Sequence, residues 1–170
     1  MNNKIIFVLL SVFLMSCSSY HNISSEYNIT PSDKVSVLPL INNSEYPMSG
    51  LKAKSIIESE LYLKKINIVN FEVIEENEGF SEKDIKQILT DLKNKDISYA
   101  FYGYVNEWRY KAGIDSEPAV SITLNLYDLK NDRVVWTASS SKTSLSYSST
   151  GVVAQKLINS MLSKIIIKGK

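Results

Sequence analysis

Between residues 120 and 128 apolar side chains fall at Val120, Ile122, Leu124 and Leu126, with Ser121, Thr123, Asn125 and Tyr127 between them. This period of two predicts a strand with one packed and one wet face. Leu129, Lys130, Asn131 and Asp132 supply turn residues, and 133–139 resumes as a strand with Val134, Trp136 and Ala138 on one side, which makes a hairpin. The preceding strand carries an aromatic row, Tyr102, Tyr104, Trp108 and Tyr110, of one parity and interrupted by Asn106. The other parity holds Phe101, Gly103, Val105, Glu107 and Arg109. A face that is small or apolar at its start and charged at its end leaves the core near Glu107, so the EWRY stretch is expected at a rim. Core packing is the plainer reading of any single tyrosine here. Trp108, flanked by Glu107 and Arg109, is the exception, and Trp136 is expected in the core or at a subunit interface.

Upstream, 34–40 (KVSVLPL) has apolar residues on both parities, as in a strand covered on both faces, with Pro39 at its end or at an edge. After a turn-rich loop, Ala53, Ile56, Ile57 and Leu61 keep helical spacing within 48–64. A second strand is predicted at 67–74, with Glu75, Glu76 and Glu78 in a solvated exit loop. Ser81 and Asp84 form a capping pair for a helix through 94, whose stripe is Ile85, Ile88, Leu89 and Leu92. Ser149 or Thr150 caps a last helix to about residue 167, with Val153, Leu157, Met161 and Ile165 in one row. The order β-α-β-α-β-β-β-α predicts an α/β domain, a single mixed sheet with packed helices.

The start of the chain changes the picture. MNNK followed by IIFVLLSVFLM reads as a signal peptide over 1–16, too short to span as a mature helix. The chain's one cysteine, Cys17, closes it, and Leu14-Met15-Ser16-Cys17 resembles the lipobox of bacterial lipoproteins. That resemblance implies a diacylglyceryl thioether on Cys17, cleavage after Ser16, and a third acyl chain of the palmitate kind on the new amine. Ser18, where an Asp would retain the protein, resembles the pattern sent to the outer membrane. Residues 17–33 are polar with isolated aromatics and no sustained period, which predicts a lipidated tether ahead of a single domain over 34–170. His21 falls in that tether and is assigned no role.

The 170 residues carry 19 Lys+Arg and 18 Asp+Glu, so there is no basic footprint and no nucleic-acid partner is expected. Loss of 1–16 removes Lys4 and no acid, so any field must come from arrangement rather than net charge. One His and one Cys leave no metal site, no nucleophile with a base and no cofactor to expect, and a Gly-rich phosphate loop is absent. A two-carboxylate hydrolase would need acids around a cleft, and nothing in the spacing places them so. A binding or scaffolding protein, not an enzyme, is the reading.

Three stretches, VLPLINNSEYPMSG, YGYVNEWRYKAGIDSEPAVSITLNLYDLKNDRVVWTASSS and GVVAQKLINSML, resemble the PelC family of outer-membrane lipoproteins of the Pel exopolysaccharide export system. The resemblance is most specific at EWRYKAG, DSEPAV and VVWTAS. It implies a domain similar to the N-terminal domain of TolB, a homo-oligomeric, dodecameric ring lipid-anchored on the periplasmic face of the outer membrane, and no reaction. The ring would guide a cationic polysaccharide to a β-barrel porin for biofilm matrix export. It implies that Glu107, Asp115 and Glu117 are substrate-guiding acids, the alternative for each being a rim or intersubunit ion pair, with Arg109 or Lys111 as partner. It further implies an aromatic belt or interface at Trp108 and Tyr110. Where the family is expected to carry a further tryptophan after the last strand, this chain has Leu145 and Tyr147, which puts a belt there in doubt. The loop 42–46 matches the pattern without suggesting chemistry. The same fold and anchor also suit a lipoprotein activator of a periplasmic cell-wall synthase, LpoB-like, which would need a long arm; a third class is a purely structural envelope lipoprotein.

Overall fold

In the computed structural model, which describes residues 19–70, 80–111, 116–145 and 147–168, the meander forms as expected. Strands β6 (Tyr99–Tyr110), β7 (Pro118–Asp128) and β8 (Arg133–Thr143) pair antiparallel in chain order. β3 (Lys34–Val37) and β4 (Ile41–Asn42) run parallel to successive parts of β6, with Pro39 in the break between them, and β5 (Asn67–Ile68) lies parallel to β3. The expected continuation of β5 to residue 74 is strand-free at Val69 and Asn70 and beyond them lies outside the described residues, as does the 75–79 loop.

Among the described residues, three helices cover this mixed sheet. α1 (Ser49–Leu63) and α3 (Thr150–Leu162) pack on one face over Phe101, Val105, Ile122, Leu124, Leu126 and Trp136. α2 (Glu82–Lys93) packs on the other through Ile85, Ile88, Leu89 and Leu92, against Leu38, Ala100 and Leu129. The capping pair is present: Ser81 N–H donates to Asp84 Oδ2 at 2.8 Å and its hydroxyl at 2.6 Å. For α3 the cap is Ser149, whose Oγ accepts the Val152 N–H at 3.2 Å. α1 starts close against the sheet; a Cβ on Gly50 would lie 1.9 Å from the Leu40 carbonyl oxygen, so only glycine fits there.

Four sequence expectations are corrected. The tether expected over 17–33 instead supplies two strands among its described residues: β1 (Ser19–Ile23), antiparallel to β8, and β2 (Tyr27–Ile29). Its polar composition suits an edge strand whose bonding partner is remote in sequence. The last helix stops at Leu162 rather than 167, because β9 (Ile165–Ile167) pairs parallel with β2 and buries Ile165. Val134 does not share a face with Trp136: the β7–β8 register shifts between Leu126 and Tyr127, leaving Val134 exposed opposite Tyr127. Trp136 itself is core, packed edge-on to Phe101 at 6.4 Å.

The fourth correction has the largest consequence. β6 carries a bulge between Val105 and Glu107, so Val105 pairs with Ile122 and Glu107 with the next residue, Ser121. The extra residue, Asn106, reverses the parity of everything after it. Trp108 therefore turns to the face of Phe101 and Val105 and is 2% exposed, not at a rim. Glu107 turns out beside Arg109. Deleting Asn106 is expected to leave a regular strand with Trp108 still inside, so tryptophan emission should remain that of a buried ring; a red shift to the solvent-exposed wavelength would refute the bulge.

Acid sensitivity follows from the carboxylates. Asp84 is held below the usual range by the Ser81 hydrogen bonds, Asp96 by the Lys34 ammonium, and Asp132 by Lys93 and the Tyr127 hydroxyl. A folded-state pKa below the unfolded value of about 3.9 stabilises the fold above that pH and is lost as pH falls through the folded value. Melting temperature should be flat from neutral pH to about 5 and fall below about 4, which a thermal scan against pH checks.

Candidate functional site

The bulge builds a notch. One wall is the turn after β4, organised by Asn42: its Oδ1 accepts from Ser44 N–H at 3.0 Å and from the Ser44 and Ser49 hydroxyls at 2.7 and 2.6 Å, while its amide donates to the Tyr46 carbonyl at 2.9 Å. This satisfies buried Ser49 at the start of α1, where Met48 takes a left-handed φ of 58°. Lys52 sits 4.3 Å from the Tyr46 ring centroid. The other wall is β6 at and after the bulge, with Asn106, Glu107 and Arg109, and Ser121 belongs to the floor. The notch is open to solvent and has a volume of about 450 Å³. It joins two stretches far apart in sequence, the 42–46 turn and the EWRY strand.

Among the sequence-predicted acids, Glu107 lies in this notch, where its Oε1 accepts from Arg109 Nε at 2.8 Å. That is the strand-rim ion pair anticipated as the alternative, partly exposed and worth little to stability. Glu117 lies half-buried just before β7, with its carbonyl accepting the Lys111 N–H at 2.7 Å. Its carboxylate has no ion-pair partner among the described residues. Asp115 and Cys17 lie outside the described residues.

Three of the four belt candidates gather at one end of the sheet. Tyr110 ends β6, and Leu145 and Tyr147 follow β8, which is tied to the start of β7 by Ser144 N–H donating to the Pro118 carbonyl at 3.1 Å. All three are exposed, Tyr147 at 85%. Trp108 is excluded from that belt by its burial. His21, given no role, is within 3.1 Å of buried Ser140 Oγ through Nδ1, so it helps hold β1 to β8. The Asn42 hub escaped the sequence reading, although Asn followed two residues on by Ser is an Asx-turn pattern that signals it.

No group of three or more His, Cys, Asp or Glu is placed to hold a metal among the described residues, and none of their helices is long and apolar enough to cross a membrane. Neither a family model nor a curated protein matches the chain. Solved structures do. PelC of Paraburkholderia phytofirmans, a dodecamer, superposes with a TM-score of 0.74 at 30% identity, over 86% of this chain and 96% of that one. A singly substituted form of that protein, also a dodecamer, gives 0.72 at 29% identity over 85% and 97%. A lipoprotein of Neisseria meningitidis shares the fold, with a TM-score of 0.58 at 22% identity over 78% and 96%. Identity at this level across nearly the whole folded domain goes beyond a shared architecture, and the chain belongs to the PelC family.

Proposed function

We propose that the chain is a lipid-anchored subunit of a ring on the periplasmic face of the outer membrane, which guides a cationic exopolysaccharide towards a β-barrel export porin and catalyses no reaction. The observation that carries this is the near-complete match to dodecameric PelC. A ring of identical subunits turns one uncompensated acid per copy into a continuous band of negative charge, even when each subunit is nearly neutral. Glu117 is the described acid that best suits that role, being without an ion-pair partner at the same end as Tyr110, Leu145 and Tyr147; Asp115 is proposed beside it, and Glu107 contributes less because Arg109 neutralises it.

The register of β1 supports the anchored arrangement. Ser19 pairs with Lys142 at that same end, and Cys17 stands two residues earlier in the chain. Two residues reach at most about 7 Å, so acyl chains on Cys17 would hold Tyr110, Leu145 and Tyr147 against the bilayer, where amphipathic rings are favoured. So short a leash does not suit a synthase activator with a long arm.

The test is the native mass of the lipidated protein in mild detergent, with export measured in a strain carrying Glu117→Lys. A ring, and export reduced severalfold at unchanged protein level, are expected. A monomer would sink the ring, and wild-type export from the variant would remove Glu117 from the path.

A further inference from the structure

The face of the sheet that carries α2 is only partly covered. α2 clusters with Tyr102 and Tyr127, whereas the side chains of Ser121, Thr123, Ser139 and Ser141 belong to neither apolar cluster of the described residues. Pairing aligns these positions in rows across four strands. One row runs Tyr104, Thr123, Ser139, Asn22 across β6, β7, β8 and β1. The next runs Glu107, Ser121, Ser141, Tyr20 and begins in the notch. Hydroxyls and amides bond laterally: Asn106 Nδ2 donates to Thr123 Oγ1 at 3.1 Å, Thr123 and Ser139 hydroxyls lie 3.2 Å apart, and Thr137 Oγ1 donates to Asn125 Oδ1 at 2.8 Å. Ser121, Ser141 and Asn22 side chains have no partner among the described residues.

The wet face of a sheet takes polar or charged side chains, and the one charge in these rows is Glu107, already held by Arg109. What remains is a lattice of uncharged donors and acceptors with Tyr20 and Tyr104 at its ends, the Tyr104 hydroxyl donating to Glu82 Oε1 on α2 at 3.1 Å. Its rows step by about 4.8 Å from strand to strand, a spacing close to one ring of an extended sugar chain. Away from the Glu82 and Glu107 carboxylates at the β6 end a charged ligand gains nothing from Coulomb attraction, and an apolar one would leave the hydroxyls unpaired. A polyhydroxylated chain meets every one of these groups with a group of its own kind.

We propose that this face is a glycan track, binding the hydroxyl groups of an extended polysaccharide about one ring per strand, from the Glu107 notch to the β1 edge. It rests on the export reading and adds that contact along the track is made by neutral hydrogen bonds, with charge confined to the rim acids.

The test is calorimetric titration of the full lipidated protein in detergent with cellohexaose and, separately, with a glucosamine hexamer, at low and high salt. Both hexamers are expected to bind, cellohexaose without salt dependence. Thr123→Lys and Ser139→Lys should weaken cellohexaose by about tenfold, the loss of one or two hydrogen bonds, with melting temperature and native mass unchanged. Unchanged affinity in both variants, or no binding of cellohexaose at all, would overturn the track. So would a fall in native mass in Ser139→Lys, which would give the face to a second copy of the chain. A wild-type monomer that still binds cellohexaose at this face would refute the ring while leaving the track standing.

Discussion

Trp108→Ala is expected to destabilise the fold by about 3–5 kcal/mol, the usual cost of emptying a buried aromatic site. Set against the 5–15 kcal/mol total typical of a domain, that takes much of the protein to the edge of unfolding. The reason is the Asn106 bulge, which swings Trp108 beneath the sheet into the cluster of Phe101, Val105, Val120 and Ile122 under α1 and α3. Trp108→Phe should retain most of that packing and cost markedly less. A tryptophan serving a belt or an interface would behave differently: the isolated subunit would keep its stability and only attachment or assembly would suffer. Denaturant unfolding of a subunit lacking residues 1–17 separates the two. A Trp108→Ala protein within about 1 kcal/mol of wild type would return this residue to the surface.

Cys17→Ala should move the protein from the membrane fraction to the soluble one. Each buried methylene contributes about 0.8 kcal/mol, so the three acyl chains proposed on Cys17 would be an essentially permanent anchor, and their loss would leave nothing comparable. The exposed Tyr110, Leu145 and Tyr147 are only three side chains at one end of the sheet, enough to orient an anchored domain but not to hold it. Fold and melting temperature should not change, since the described pairs of β1 with β8 run from Ser19 to Ile23 and are kept in the variant. Export should fall with attachment. Membrane sedimentation of the Cys17→Ala protein at the wild-type level would defeat the lipobox assignment.

Local chemistry made much of this protein legible from its residues alone. Alternation at 120–128 predicts β7, the stripe at Ile85, Ile88, Leu89 and Leu92 predicts α2, and Ser81 with Asp84 predicts its cap, because side-chain period and capping act within a few residues. The family likeness and the mixed α/β class could be read in the same way from strings such as EWRYKAG and VVWTAS. What the tertiary structure alone decided turns on pairing between distant segments. A single bulged residue, seen only against β7, reverses the parity of β6 and exchanges the places of Trp108 and Glu107. A polar stretch with no period of its own becomes β1 because β8 offers it an edge, and α3 yields to β9 because β2 waits opposite Ile165. The notch joins Asn42 to Glu107, and the hydroxyl rows join four strands. None of these pairings between distant segments has a local signature, since a strand's register is fixed by its partner's hydrogen bonds and not by its own sequence.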